Sequence, residues 1–586
     1  DTNVEVERIL YGLLNKLEKV CPKIFDPNIN LIFQIDGKDL YNQVIYNEEG
    51  ELYIGKRGGT FRGILLNVPH DFKLVYHSRH GDIYYSPDRF VWAYHPDNAP
   101  DIGEKNTGDP VHLSEFITWT EKHYPAKRYM LIMAGHGNGW KGALPDDTNN
   151  DWLFMHELRN ALQGGGVHFD IVGFYPACLM AMIEVGYQIR DLADIMIASQ
   201  EIMWAPNIAY KEIFSYIQQN PFDSSENIAK KFVDYFAQAK ENSYFRSQKR
   251  EYTLSAVRLG NYIEALAKQV SKFGMDLKSG MEDWGDTRDK QFAKHGDTDD
   301  NCQIDVKTDL FMTEKYRDKN FIDLRDFAIQ IAFDAGIWTF YKQHWYDVTQ
   351  SLDASVIHER HGVNHPNSNG ISIYFPRYQA KIFNNDQIGD PFDRPWPSKL
   401  RNDADSLAVY AHDFTTEWGK VSLPHPWREA INLLFRDDTQ WDEFLHRYYK
   451  PCADAGPDQS FELEPNENFV EITLNGSGSS DTDGYIKKYY WDFNDTVNTD
   501  NGDWDKDGVD EANDDKDADG VSATHRFGPG RYVVTLTVWD DHYLLNDART
   551  DSIPNRHYQT DQDSCIIVVT KKPPNDTQPP TTTIIY

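Results

Sequence analysis

Apolar residues recur along the first two hundred positions with two alternating periods. Over 4–20 they fall at Val6, Ile9, Leu10, Leu13, Leu14 and Leu17, the stripe of an amphipathic helix. The runs at 30–35 and 72–76 are short and apolar, which predicts buried strands. A helix is predicted over 114–124 with Ser114 as its N-cap, then a strand over 129–133 and a helix over 155–162. A strand over 169–175, a helix over 179–192 and a strand over 195–198 follow. Apolar strands alternating with helices predict an α/β sheet, mainly parallel and covered on both faces. From 210 to 450 the pattern is mixed: helical over 228–239 and 321–333, strand-like over 253–259 and 371–375. Either the α/β unit continues there or a second lobe packs on it.

After Lys450 the period changes to two. Short alternating runs at 470–474, 489–493, 532–539 and 565–569 are separated by Gly, Asn and Asp, the spacing of a small β-sandwich with Trp491 as a core plug. Residues 571–586 are rich in Pro and Thr and read as a linker. The organisation is thus an α/β unit over 1–450, a sandwich over 451–570 and the linker 571–586.

Charge sharpens this division. The 586 residues carry a net charge of −33, which excludes a global electrostatic reason to bind nucleic acid. From 451 to 586 there are 27 acidic and 10 basic residues, so half of the excess lies in under a quarter of the chain. No apolar run approaches the ~18 residues of a spanning helix. The five cysteines include no Cys-x-x-Cys pair. Cys452 and Cys565 bracket the acidic region and are a candidate disulfide, and Cys178 is the candidate free thiol.

Two segments carry chemistry. Ala134-Gly-His-Gly-Asn-Gly-Trp140 follows the strand at 129–133, and Pro176-Ala-Cys-Leu-Met180 follows the strand at 169–175. Residues just beyond the carboxyl ends of parallel strands converge on the ligand crevice of such a sheet. With a helix starting at Leu179, Cys178 would sit at its positive end, where thiolate is favoured. His136 would serve as general base and then acid, and the amides of Gly137 and Cys178 as oxyanion donors. Taken alone, a cysteine behind a buried strand is usually a small packed hydrophobe, and a histidine before glycine a turn residue. Their equivalent topological positions favour function.

These two motifs resemble those of the clostripain family of cysteine peptidases. Gly103–Pro110, the stretch 144–158, Ala198-Ser-Gln-Glu201, Thr253-Leu-Ser-Ala256, Phe321-Ile-Asp-Leu324 and Gly370–Pro376 are similar to further family landmarks. The resemblance covers most of 1–450. It implies a caspase-like fold and a catalytic dyad of His136 and Cys178. The family usually has Asp two residues before the nucleophile, to accept a basic P1 side chain, where this chain has Pro176. Ser199 and Glu201 are then candidates for the substrate pocket beside Pro176, with Glu201 as an alternative acid. Asp1-Thr-Asn3 looks like the end of the family's first turn, so the family's first strand is expected to precede it. Members are often processed between the two catalytic residues, and Lys141 is the candidate cleavage point.

The segments 453–458, 474–481, 490–495 and 530–538 resemble a PKD domain, an immunoglobulin-like sandwich found on secreted peptidases and surface proteins. Inside it lies an insertion over 498–520. Asp503, Asp505 and Asp507, with Gly508 sixth, Val509 seventh and Asp514 twelfth, match a calcium loop. A second run, Asp515, Asp517 and Asp519, follows at once. A solvated acidic loop is the alternative. Asn475, Asn494 and Asn575 head glycosylation sequons.

The expected protein is a secreted or surface-attached cysteine endopeptidase acting on proteins or peptides. A calcium-binding appendage would face cell-surface or extracellular matrix components. A retired peptidase scaffold with a structural or adhesive role is the alternative.

Overall fold

The computed structural model describes residues 29–37, strand segments between 43 and 85, 105–146, 149, 151–204, 208–282, 312–333, 344–375, most of 433–445, 451–480, 486–493, 518–544 and 557–572. The predicted helix over 4–20 lies outside the described residues. The apolar runs at 30–35 and 72–76 do form strands, Ile32–Gly37 and Lys73–Ser78. Each belongs to a two-stranded antiparallel pair and not to the main sheet.

The main sheet is built from β1 (Met130–Met133), β2 (Phe169–Phe174), β3 (Ala193–Ala198), β4 (Thr253–Arg258) and β5 (Val356–His361), in the order β5-β4-β3-β2-β1. β1, β2 and β3 are mutually parallel, β4 is antiparallel to β3, and β5 is antiparallel to β4. The sheet is therefore mixed. The 371–375 run stays outside it: Ser372–Tyr374 pairs with Phe321–Asp323 in a separate ribbon.

Alternation along each strand feeds two cores, as a sheet buried on both faces requires. Val172 and Phe174 of β2 and Met196 of β3 point to one core. It is completed by α1 (Pro110–His123), α2 (Met155–Gly164), α3 (Ile183–Gln188) and α6 (Asn261–Glu282). Ile171, Ile195 and Ile197 point to the other, completed by α4 (Tyr210–Gln219) and α5 (Ser225–Glu241). Each fully buried Ile, Val or Phe on these faces contributes about 1.5–3 kcal/mol.

Two helix starts differ from expectation. α1 begins at Pro110, because Asp109 accepts a hydrogen bond from Val111 N at 2.9 Å and Pro fits the first turn. The expected N-cap Ser114 is one turn inside. The helix expected from Leu179 begins at Ile183. Leu179 holds φ at +65°, which no helix continues through. Ala181 N donates to Ser199 O and its carbonyl accepts from Ser372 N, so 179–182 is tied to neighbouring strands instead.

After Lys450, β6 (Gln459–Leu463), β8 (Ile486–Asp492), β9 (Ala518–Asp519), β11 (Gly530–Leu544) and β12 (His557–Lys571) form one sheet in the order β6-β12-β11-β8-β9. β7 (Val470–Asn475) and β10 (Ser522–Phe527) form a second. Both feed one apolar core that includes Leu474, Phe527, Leu536 and Ile567. Trp491 lies fully buried in it, its Nε1 donating to Gly520 O at 2.9 Å.

The expected Cys452–Cys565 bridge is not formed. Cys565 is a free thiol buried in this core, facing inward from β12, while Cys452 is disulfide-bonded elsewhere. Asn475 is exposed at the end of β7, its side-chain oxygen accepting from Ser477 N. Asn494, Asn575 and the acidic insertion lie outside the described residues, save 518–520, where Asp519 is exposed and pairs with Tyr490.

Candidate active site

β1 and β2 leave the sheet side by side, with Met133 opposite Phe174. The pairing continues beyond the strands: Tyr175 N donates to Met133 O at 2.7 Å, and Gly135 N to Pro176 O at 2.8 Å. The two sequence motifs are thereby laced together residue by residue. One step further on, Gly137 lies directly against Cys178. A Cβ on Gly137 would stand 3.0 Å from Cys178 N and collide with its carbonyl oxygen. Only glycine permits that approach.

The loop that carries His136 is held from its other side. Leu144 N donates to His136 O at 2.9 Å and Asn138 N to Gly142 O at 2.9 Å, a small bridge centred on Gly137 and Ala143. These bonds come from the residues flanking the pair, so the Gly137 N–H takes no part in the bridge. Gly139, at φ +60°, turns the chain so closely over Phe321 that a Cβ would meet its ring at 2.7 Å. His136 itself is half-buried at this edge.

Cys178 is a free, half-buried thiol between the two cores. Met203 N donates to its Sγ at 3.3 Å. Burial pushes the thiol up to about 11, and the nearby Glu201 carboxylate adds to the rise; the Met203 amide and the Lys240 ammonium act in the opposite sense. The expected helix-dipole assistance is absent, because α3 starts five residues later. Leu179 N donates to Glu201 O at 3.3 Å. With its left-handed φ, this bond turns the chain sharply just past the sulfur and holds the turn against the 201–204 loop.

Floor and walls are tightly built. Tyr175 is fully buried, its ring edge-on to Tyr210, Phe232 and Phe236 with centroids 5.2, 5.3 and 5.7 Å apart. The residues expected to line a substrate pocket are placed differently. Ser199 has no exposed surface; its Oγ donates to Glu201 O at 2.8 Å and lies 2.9 Å from Thr253 Oγ1, so it braces the end of β3 against β4. Pro176 is buried with its carbonyl used by Gly135. The Glu201 carboxylate accepts from Ile202 N at 2.8 Å and lies 3.5 Å from His365 Nε2. His365 in turn meets Glu314 at 3.0 Å through Nδ1. Burial raises the Glu201 pKa against these partners.

Lys141, the expected processing point, is not on a protruding loop. It ends a single 3-10 turn, Gly139–Lys141, with its amine 3.4 Å from Asp318 and 5.7 Å over the Phe321 ring. Among the described residues no cluster of three or more metal-ligating side chains occurs.

Sequence reasoning missed the Met203 amide and the buried Lys240. The second left a legible signal: Lys240 continues the helical stripe Ala229, Val233, Phe236 at i+4 spacing.

The clostripain family model matches residues 98–448. Clostripain from Hathewaya histolytica is 33% identical over 144 residues, which are 21% of this chain and 27% of that protein. The match thus spans about a quarter of its length. Among solved structures, a secreted C11 cysteine protease from Bacteroides thetaiotaomicron is 14% identical, with a TM-score of 0.42 over 63% of this chain and 89% of its own. An inactive zymogen C11 protease from Parabacteroides distasonis is 16% identical, with a TM-score of 0.38 over 63% of this chain and 88% of its own.

Proposed function

The chain belongs to the clostripain family, and from that premise we propose that it is a cysteine endopeptidase with Cys178 as nucleophile and His136 as base. In this reading His136 takes the thiol proton as Sγ attacks the scissile carbonyl. The oxyanion that forms is met by the amides of Gly137 and Cys178. The C–N bond then breaks, His136 returns the proton to the leaving amine, and water hydrolyses the thioester. The observation that carries the reading is the close backbone approach of Gly137 to Cys178 at the ends of adjacent parallel strands. It supports the reading because it brings the backbone of the His136 loop against that of Cys178. Replacing Cys178 with Ala is expected to abolish peptide cleavage; cleavage that persists overturns the reading.

The caspase-like relationship belongs to the same proposal. So does a P1 preference other than Arg or Lys, since Pro176 supplies no carboxylate and that of Glu201 is engaged by Ile202 and His365. A retired scaffold with a structural or adhesive role is the second reading. It is favoured by the burial that pushes the Cys178 thiol pKa up. Peptide-library profiling separates the two.

The two-sheet domain after Lys450 is proposed to be a PKD-type, immunoglobulin-like sandwich. Its acidic insertion supplies alternating carboxylates, the donor chemistry calcium prefers, with Asp503, Asp505, Asp507 and Asp514 as first ligands and Asp515, Asp517 and Asp519 as a second set. Such a domain fits a secreted or surface-attached enzyme meeting protein substrates outside the cell, among them cell-surface or matrix components.

A further inference from the structure

The turn that follows Cys178 is held by two other parts of the chain. Leu179 N donates to Glu201 O at 3.3 Å, and Ala181 N donates to Ser199 O at 2.9 Å. From the other side, Ala181 O accepts from Ser372 N at 2.9 Å and from Ser372 Oγ at 3.1 Å. The segment 199–203 also reaches the sulfur itself, through the Met203 amide at 3.3 Å. Ser372 belongs to the ribbon with Phe321–Asp323, where its register partner is Asp323.

Gln200 joins these two supports. It stands between Ser199 and Glu201 and is only 1% exposed. Its Oε1 accepts from Ser368 Oγ at 2.7 Å and Gly370 N at 2.9 Å, and its Nε2 donates to Asp323 Oδ2 at 3.0 Å. Asp323 has no exposed surface. Its carboxylate also accepts from Tyr316 OH at 3.1 Å, Asp326 N at 2.9 Å, Asn369 N at 2.7 Å and Asn369 Nδ2 at 3.1 Å. Burial raises its pKa to about 6 against the bonds from Asp326, Gln200 and Asn369, so above pH 7 it is mainly ionised and accepts from all of them. A buried carboxylate so fully engaged is fixed in place, and it fixes the amide that it holds. A closed circuit results. It runs from the turn to 199–201, through Gln200 to Asp323 and Gly370, along the ribbon to Ser372, and back to Ala181. Thr253 Oγ1 secures the same segment to the sheet, accepting from Gln200 N at 2.9 Å and Glu201 N at 3.0 Å. Gln200 secures it to the ribbon.

We propose that Gln200, held by Asp323, is a positioning residue for Cys178: its buried amide locks the 199–201 segment to the ribbon, so that the two supports of the turn behind the nucleophile keep one spacing. The inference rests on the reading of Cys178 as nucleophile. Gln200 acts only through the Ser199 and Glu201 carbonyls, so the length of its side chain is as important as its polarity.

The test uses the full chain near pH 7.5 with two variants. Gln200→Asn keeps the amide but is one methylene shorter; Gln200→Leu keeps the bulk and removes all three side-chain bonds. Hydrogen exchange read by mass spectrometry follows the amides of 179–182, and peptide hydrolysis per titrated Cys178 thiol gives kcat and KM. Exchange over 179–182 is expected to rise about tenfold or more beyond any rise in β2. The kcat is expected to fall at least about tenfold, since a misplacement of ~1 Å costs about a hundredfold. KM should stay within about threefold, because the buried amide meets no substrate. A residue that merely stabilised the fold would raise exchange in 179–182 and β2 together and leave kcat per thiol unchanged. Should Gln200→Leu fail to fold, Gln200→Asn decides alone. A folded Gln200→Asn with parental exchange over 179–182, or with parental kcat, overturns the proposal. If Cys178→Ala still cleaves peptides, or the parent cleaves none, the peptidase reading fails, while the exchange rates still judge whether Gln200 holds the turn.

Discussion

Gly137→Ala is the sharpest perturbation of the candidate site. The added methyl would stand 3.0 Å from Cys178 N and 2.8 Å from Met180 Cγ, and would collide with the Cys178 carbonyl. Two of these three neighbours are backbone, and Met180 is fully buried, so nothing can swing aside. The His136 loop must move away from Cys178, although Leu144 and Asn138 tie it from behind. Overpacking of this kind costs about 1–3 kcal/mol of stability. The effect on turnover is expected to be larger, since a misplacement of ~1 Å costs about a hundredfold and losing an oxyanion donor about 10²–10³ in kcat. Steady-state peptide hydrolysis, beside thermal unfolding, checks both. A folded Gly137→Ala enzyme whose kcat/KM stays within about twofold of the parent refutes the claim that this backbone contact builds the site.

Three further outcomes follow from the geometry. Glu201→Gln keeps an acceptor for Ile202 N but removes the negative charge that raises the Cys178 pKa. The thiol pKa should fall, so the pH profile of Cys178 alkylation is expected to shift to lower pH; a shift upward or none contradicts this. Trp491→Ala empties a fully buried site and abandons the bond to Gly520 O. It should cost about 3–5 kcal/mol of the β domain's stability by denaturant unfolding, and a cost under about 1 kcal/mol would show that Trp491 is no core plug. Calorimetry with calcium should give binding that is lost when Asp503→Asn and Asp507→Asn are combined, and a parent without binding heat removes the calcium proposal.

Much of the α/β unit was legible because its strands are apolar on both faces, as β2 and β3 show. What periodicity cannot report is which strand pairs with which. The run at 371–375 looks like any buried strand, yet it leaves the main sheet to pair with Phe321–Asp323. Likewise, 321–333 carries one continuous apolar pattern, but its first three residues form that ribbon and the helix begins at Leu324. The start of α3 was misplaced for a local reason. Leu179 has a helix-forming side chain, and its left-handed φ is set by tertiary bonds to the 201–204 loop and β3 that sequence spacing does not encode. The adjacency of His136 and Cys178 segments was legible from topology alone. The partner of the thiol was not, because the Met203 amide reaches Sγ from 25 residues away in the chain. The disulfide was misjudged because bracketing positions say nothing of side-chain direction: Cys565 points into the core from β12.

The central claim is that the His136 and Cys178 loops form one reactive unit. A peptidyl electrophile, followed by mass mapping of the adduct, tests it most directly. The expected result is rapid modification at Cys178, slowed at least about tenfold by His136→Ala in a protein that remains folded. An adduct that forms elsewhere, or forms at Cys178 equally fast without His136, would contradict it.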